Sequence, residues 1–409
     1  MFRFDAIAAD SVSAIKTGLG GTLSARYADL LPADKSARIL LKPNLNANMN
    51  ALTGNTTDLR ILAAVVEWLK DSGHANITIG EGTNSGYYRN RISVISRLKV
   101  DALGKFYGVT VKDLNYSDPV VIPFEDGVEA AVARECVEAD LFINMPKLKT
   151  HFEAGMSVCL KNLMGCLVGQ ENKKKTHQSL AANIVNINRA LKPHLHIVDA
   201  VISMEGLGPT RGTPLKTGMV FVGTDPYLID LLMTKFAGFD PGRVRTLVEA
   251  RSRGIIDESY RAFVREYEFP RTFSFAPPVA GPIANFIHSP KRQKYFLAVR
   301  NTAIFNALCS TRLVGWLLYV TGLRQDVFIE DEMLFEGLTH KKDLCSSCGK
   351  CAKYCPLGLE LPEALGNPRC IECMYCQGVC PEKAIEFRGR LGFMREQERQ
   401  YDTHIRRMA

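Results

Sequence analysis

Eight of the chain's 12 cysteines fall in one short stretch and in one repeated pattern. The first run is Cys345-x2-Cys348-x2-Cys351-x3-Cys355-Pro356, and the second is Cys370-x2-Cys373-x2-Cys376-x3-Cys380-Pro381. A chain that keeps its thiols reduced uses such density for metal rather than for disulfides. Structural zinc would want separated C-x2-C pairs around a single ion, which this is not. A C-x2-C-x2-C loop wraps three thiolates around a 4Fe–4S cube, and the cysteine before proline ligates the other cube. The pattern therefore predicts two 4Fe–4S clusters. One would sit on Cys345, Cys348, Cys351 and Cys380, the other on Cys370, Cys373, Cys376 and Cys355. Each proline turns the chain away after the last ligand. The duplication is itself a short internal repeat, expected to fold as a small α+β, pseudo-twofold unit.

Ahead of this module, strand-like and helix-like segments alternate from residue 37 to about 250. Apolar runs such as ARILLKP, ANITIGEG, GVTVKDLN, ADLFINMP, LHIVDA and GMVFVGTD read as strands. The segment TTDLRILAAVVEWLKDSG reads as a helix with Leu59, Leu62, Val66 and Leu69 on one face, capped by Thr56 or Thr57 and ended by Gly73. Such alternation predicts an α/β domain with a mostly parallel sheet. Ligands of such sheets lie beyond the carboxyl ends of the strands. The polar residues there are Lys42 and Asn44, Glu81, then Lys147, Lys149 and His151, then Glu205, then Asp225.

In an extended chain Lys147, Lys149 and His151 point to one side and would bind a carboxylate or phosphate. The plainer alternative is a solvated basic loop. Lys161 and Asn162 follow in a glycine-containing turn. Cys136, Cys159, Cys166 and Cys309 read as buried thiols outside the metal set. His177 belongs either to acid–base chemistry or to a basic loop, and His194 and His196 to structural roles. No P-loop, G-x-S-x-G or dinucleotide fingerprint is present.

A formal charge of +8 fits an anionic substrate, an acidic partner or a membrane surface, and no nucleic-acid motif accompanies it. The N-terminus lacks a signal-peptide core, so a cytoplasmic location is expected. The longest apolar stretch, LVGWLLYVTGL (313–323), is too short to span a bilayer, which leaves peripheral membrane contact as the only membrane role.

The stretches LLKPNLN (40–46), INMPKLKTH (143–151), LKNLMG (160–165), IVDAVISMEGLGPTRGTP (197–214) and GTDPYLIDLLMTKFAGFDP (223–241) resemble the domain of unknown function 362 family, over residues 37 to 255. Members often carry a C-terminal two-cluster, ferredoxin-type module. The family is distantly similar in architecture to lactate-racemase-like proteins, which implies a ligand cleft. The positions carried over are Lys42, Asn44, Lys147, Lys149, His151, Lys161, Asn162, Asp199, Glu205, Asp225 and Asp230. The organisation expected is an α/β domain (1–255), a helical linker or lid (256–335), the cluster module (336–390) and a tail (391–409).

The functional expectation is a ferredoxin-linked reductase. Electrons would pass from the clusters to an anionic substrate or cofactor held by Lys42, Asn44, Lys147, Asn162, Glu205 and Asp225. His151, Lys161 or Lys149 would serve catalysis. The alternative is a non-catalytic electron-transfer or accessory protein that docks a partner enzyme or assists cofactor assembly. A flavin would bridge one- and two-electron chemistry, but nothing in the sequence indicates one.

Overall fold

The computed structural model describes residues 2–124, 129–278 and 331–408, with Thr302, Thr311, Leu313, Val314 and Leu317 between the last two segments. Cys309, most of the 313–323 stretch and most of the expected linker lie outside the described residues. Within that linker, the helix Glu258–Glu266 is described.

Among the described residues, eleven strands precede the cysteine module. They are β1 (Phe4–Ala8), β2 (Ile39–Pro43), β3 (Ile77–Glu81), β4 (Thr110–Asp113), β5 (Pro119–Pro123), β6 (Glu129–Ala133), β7 (Leu141–Met145), β8 (Lys147–His151), β9 (Gly155–Ser157), β10 (Leu195–Glu205) and β11 (Thr213–Gly223). The main sheet runs β1-β11-β10-β7-β2-β3-β4, with β8 and β9 branching from β10. Pairings among β4, β3, β2, β7 and β10 are parallel, as is β10 with β8. β11 closes one side antiparallel to β10, and β1 returns to pair antiparallel with β11. The fold class is thus the expected mostly parallel α/β sheet, with an antiparallel edge supplied partly by residues 4–8.

Both faces of the sheet are covered, which is why its strands are apolar without interruption. Every residue of β2 and β7 is buried. Alternate side chains feed two cores. Ile39, Leu41, Leu141 and Ile143 join the helices Val12–Arg26, Leu59–Asp71 and Val100–Tyr107. Leu40, Phe142, Val198 and Phe221 join the helices Leu180–Leu191, Pro226–Ala237 and Arg245–Ser252.

The helix Leu59–Asp71 departs from the single apolar face expected of it. Ten of its residues are buried, including Arg60. The helices Val12–Arg26 and Val100–Tyr107 pack along it, and the cysteine module closes over its first turn, where Tyr354 lies against Arg60 and Tyr375 OH accepts from Leu59 N; Tyr354, Leu357, Leu361, Ile371 and Met374 belong to the same core. Its cap is Asp58, whose side chain accepts from Arg60 N. Thr57 Oγ1 instead accepts from Asn44 N and donates to Met145 O, both at 2.8 Å, stitching β2 to β7.

The module itself pairs β12 (Leu334–His340) with β13 (Ile385–Arg390), antiparallel, around two short helices, Lys350–Tyr354 and Tyr375–Val379. The tail is helical rather than frayed: Tyr401 and Ile405 are fully buried, and Gln397 bonds Asn50 N and Asn48 O. No helix among the described residues is long and apolar enough to cross a membrane.

Candidate functional site

Strand order reverses between β2 and β7: β3 and β4 continue to one side of β2, β7 and β10 to the other. A crevice forms at such a switch point, beyond the strand ends. Three asparagines bridge it. Asn44 Nδ2 donates to Asn162 Oδ1 at 2.8 Å, and Asn162 Nδ2 donates to Asn144 Oδ1 at 2.7 Å.

The lysines expected to bind an anion are buried here. Lys42 Nζ reaches Glu81 Oε2 at 2.7 Å, with side chains 0% and 4% exposed. Lys147 Nζ reaches Asp199 Oδ2 at 2.8 Å, both 0% exposed. β8 is a wholly buried strand, so the solvated-loop alternative is overturned. Lys149 Nζ donates to Asn44 Oδ1 at 2.9 Å and Asn55 O at 2.6 Å. Lys147 and Lys42 are therefore committed to carboxylates, while Lys149 has only neutral partners.

Close backbone contact makes the Lys42–Glu81 pair possible. Gly82 N donates to Gly165 O at 2.9 Å. A Cβ on Gly165 would stand 1.8 Å from Glu81 Oε1 and 2.7 Å from Lys42 Nζ. Gly165→Ala should consequently cost about 1–3 kcal/mol through overpacking, seen as a lowered urea midpoint with unchanged slope.

Electrostatics divide the remaining groups. Burial, then repulsion from Lys161 and Lys147, pushes the Lys149 amine well below the usual lysine value. Burial, then repulsion from Lys161 and Lys149, pushes His151 well below the usual histidine value. His151 Nδ1 accepts from Glu153 N at 3.1 Å and Ala154 N at 3.2 Å, so its proton sits on Nε2. Lys161 is half-buried on the short helix Cys159–Asn162, and its ammonium has no hydrogen-bond partner among the described residues. Burial, opposed by Glu153, brings it down to about 8. Lys173, also about 8 through burial, is saturated by Gly82 O, Thr83 O and Asn115 Oδ1.

Other sequence candidates have local duties. Asp225 caps the helix Pro226–Ala237 and accepts from Tyr260 OH at 2.7 Å. Glu205 Oε2 holds Ala276 N at 2.8 Å. Asp230 receives Cys159 N at 2.9 Å and Leu160 N at 3.4 Å, and burial raises it to about 7. His194 accepts from Phe142 N, and His196 is buried beside Asn144. His177 contacts Lys173 O. Sequence reading left Glu81 without its partner and omitted Asn144, Asn55, Asp58 and Arg60. For Asn144 the usable signal was its place near the end of β7.

In the cysteine module, the thiols of Cys370, Cys373 and Cys376 are electrostatic neighbours of Cys355, and Cys351 is a neighbour of Cys348 and Cys380. That is the crossed grouping the spacing predicts. The backbone repeats as well. Ser347 and Gly349 flank Cys348 in the left-handed region, and Glu372 and Met374 flank Cys373 in the same way. Non-glycine residues hold that conformation only where surroundings demand it; here it turns successive amides into a concave nest of the kind that binds anionic centres. Glu372 N already donates to Cys370 Sγ at 3.4 Å, and Ala384 N to Cys380 Sγ at 3.2 Å. Among the described residues no three of these side chains form a closed ligand set. The thiol grouping and the repeated backbone path carry the fit to two clusters.

A switch-point crevice lined by buried cations, joined to a cysteine-rich module with a duplicated loop, defines a two-part α/β protein. Residues 39–235 match the family model described as Domain of unknown function (DUF362). A thylakoid-associated protein of Synechocystis sp. is 26% identical over 239 residues, covering 53% of this chain and 68% of that protein. The lactate racemase apoprotein of Thermoanaerobacterium thermosaccharolyticum is 13% identical, with a TM-score of 0.37, over 54% of this chain and 53% of that one. A Thermotoga maritima protein of solved structure is 14% identical, with a TM-score of 0.33, over 60% of each chain. The chain therefore spans little more than half the length of these two solved structures.

Proposed function

We propose that this chain is an iron–sulfur redox protein that reduces an anionic organic ligand bound among Lys149, His151 and Lys161. The observation that carries the reading is the half-buried ammonium of Lys161 at the strand ends, without a hydrogen-bond partner among the described residues, beside Lys149 and His151, whose basicity burial lowers. Burying unpaired cations is costly, and an anion relieves that cost. When bound, the clusters on the eight module cysteines supply electrons one at a time.

The chain's own residues supply orientation and protons. Asn44, Asn144 and Asn162 fix the floor of the site through one another. Lys161, near 8, is charged at neutral pH and is matched to proton delivery there. His151, neutral with its proton on Nε2, orients as a hydrogen-bond donor. Of the two proton donors the sequence suggested, the geometry favours Lys161.

The test has two parts. Anaerobic protein is denatured and its supernatant searched by mass and absorbance for an organic anion or flavin. The recovered compound, or inorganic phosphate where none is found, is then titrated calorimetrically. Affinity should fall as pH rises through about 8, because Lys161 loses the charge that attracts the anion. Binding should take up protons, read from buffers of different ionisation enthalpy. Lys161→Met should weaken binding at least tenfold and abolish the pH dependence. Affinity independent of both pH and Lys161 sinks the reading.

The relative's description as thylakoid-associated favours a second reading, in which the chain exchanges electrons with a membrane-bound complex and the lysine site only docks or assembles a cofactor. Iron and sulfide without any organic ligand, and normal partner activity in His151→Ala, would select it.

A further inference from the structure

The helix Leu59–Asp71 opens on a buried ion pair that the proposed chemistry leaves unused. Asp58 takes Arg60 Nε at 3.0 Å and Nη2 at 2.6 Å, and both side chains are 0% exposed. The guanidinium lies over the Tyr354 ring, 4.1 Å from its centroid. Arg60 Nη1 and the Tyr354 hydroxyl are both buried without a hydrogen-bond partner. A guanidinium left with unmet donors in the interior is expensive. An apolar residue of similar volume would often serve stability as well or better.

The pair is oriented. On its carboxylate side, Asp58 N donates at 2.7 Å to Asp199 Oδ2, which holds Lys147. On its guanidinium side lies the module. Tyr354 directly precedes Cys355, and Tyr375, whose hydroxyl accepts from Leu59 N at 3.4 Å, directly precedes Cys376. Both cysteines belong to the group containing Cys370 and Cys373. In the other group Cys348 is exposed and Cys345, Cys351 and Cys380 are half-buried.

We propose that Arg60 tunes the inner of the two clusters, the one on Cys355, Cys370, Cys373 and Cys376, so that it accepts an electron more readily than it would without the guanidinium. The inference rests on the iron–sulfur reading above. A buried cation favours the state carrying one more negative charge, and Asp58 opposes it. Arg60 acts here as a positioning residue for charge and touches no substrate.

The experiment is potentiometry of the full-length, anaerobic holoprotein followed by electron paramagnetic resonance. Iron and sulfide are counted first, and a wild-type count well short of two clusters fails the parent reading rather than this one. Arg60→Gln should move one reduction step to lower potential, on the order of tenfold in its one-electron equilibrium, or ~59 mV, and leave the other in place. Asp58→Asn should move the same step upward, and the double variant should fall between the two. Should Arg60→Gln lose its clusters, Asp58→Asn and the double variant decide. With clusters retained, two unmoved steps, or two steps moving together, overturn the proposal.

Discussion

Replacing Cys355 with alanine should remove the cluster of Cys370, Cys373 and Cys376, and spare the one on the run to which Cys355 belongs in sequence. Iron should fall from about eight to about four per chain. The decisive comparison uses pairs. Cys355→Ala with Cys373→Ala should lose no more iron than either change alone, because both strike one cluster. Cys355→Ala with Cys348→Ala should lose nearly all of it. The reverse pattern would show that each run closes on its own cluster. The expectation follows from the neighbours of Cys355, which are the three thiols of the second run. The effect should be large because a cube missing one of four thiolates opens to solvent and to loss of iron.

Asp199→Ala should destabilise the protein by about 3–5 kcal/mol, since it leaves the Lys147 ammonium buried and unpaired. Asp199 also accepts from Asp58 N and Val201 N, so three donors lose their acceptor together. Lys147→Met should cost less. Burial already raises the Asp199 carboxyl above the ordinary value, so without its lysine it can take a proton and remain as a neutral acid. Urea unfolding of both variants measures the difference. Equal losses would mean that the ion pair does not set the position of β8, and a loss under about 1 kcal/mol for Asp199→Ala would mean that water reaches Lys147.

The ferredoxin-like cysteine spacing is legible because cluster loops use fixed short spacings and no long-range partner is needed to recognise them. The parallel sheet is legible because its strands are buried on both faces and read as unbroken apolar runs. β1 is not, since FDAIA becomes a strand only by pairing with β11, more than two hundred residues away. The run Lys147-x-Lys149-x-His151 carries the charge pattern of a surface loop. Its burial depends on Asp199 and on backbone oxygen at Asn55, neither of which is local to it. Asp225 illustrates the converse. Asp-Pro before an apolar helix is a capping signature, and its position at a strand end made it look like a ligand. Thr57 was taken for a cap by its proximity to the helix, whereas its hydroxyl ties β2 to β7.

The helix Leu59–Asp71 is clasped by its neighbouring helices and the module, with Leu59, Ile61, Trp68 and Tyr354 in one continuous core. Many redox proteins carry their electron-bearing unit on a tether and wait for it to swing. Here the joint is soldered. The interval between the inner thiol group and the lysine crevice is set by a fully packed helix turn, and it cannot lengthen without opening the core. Under the proposed function, charge and the occupant of the lysine site, rather than a swinging tether, would control electron flow, and the exposed Cys348 is where a moving partner would arrive.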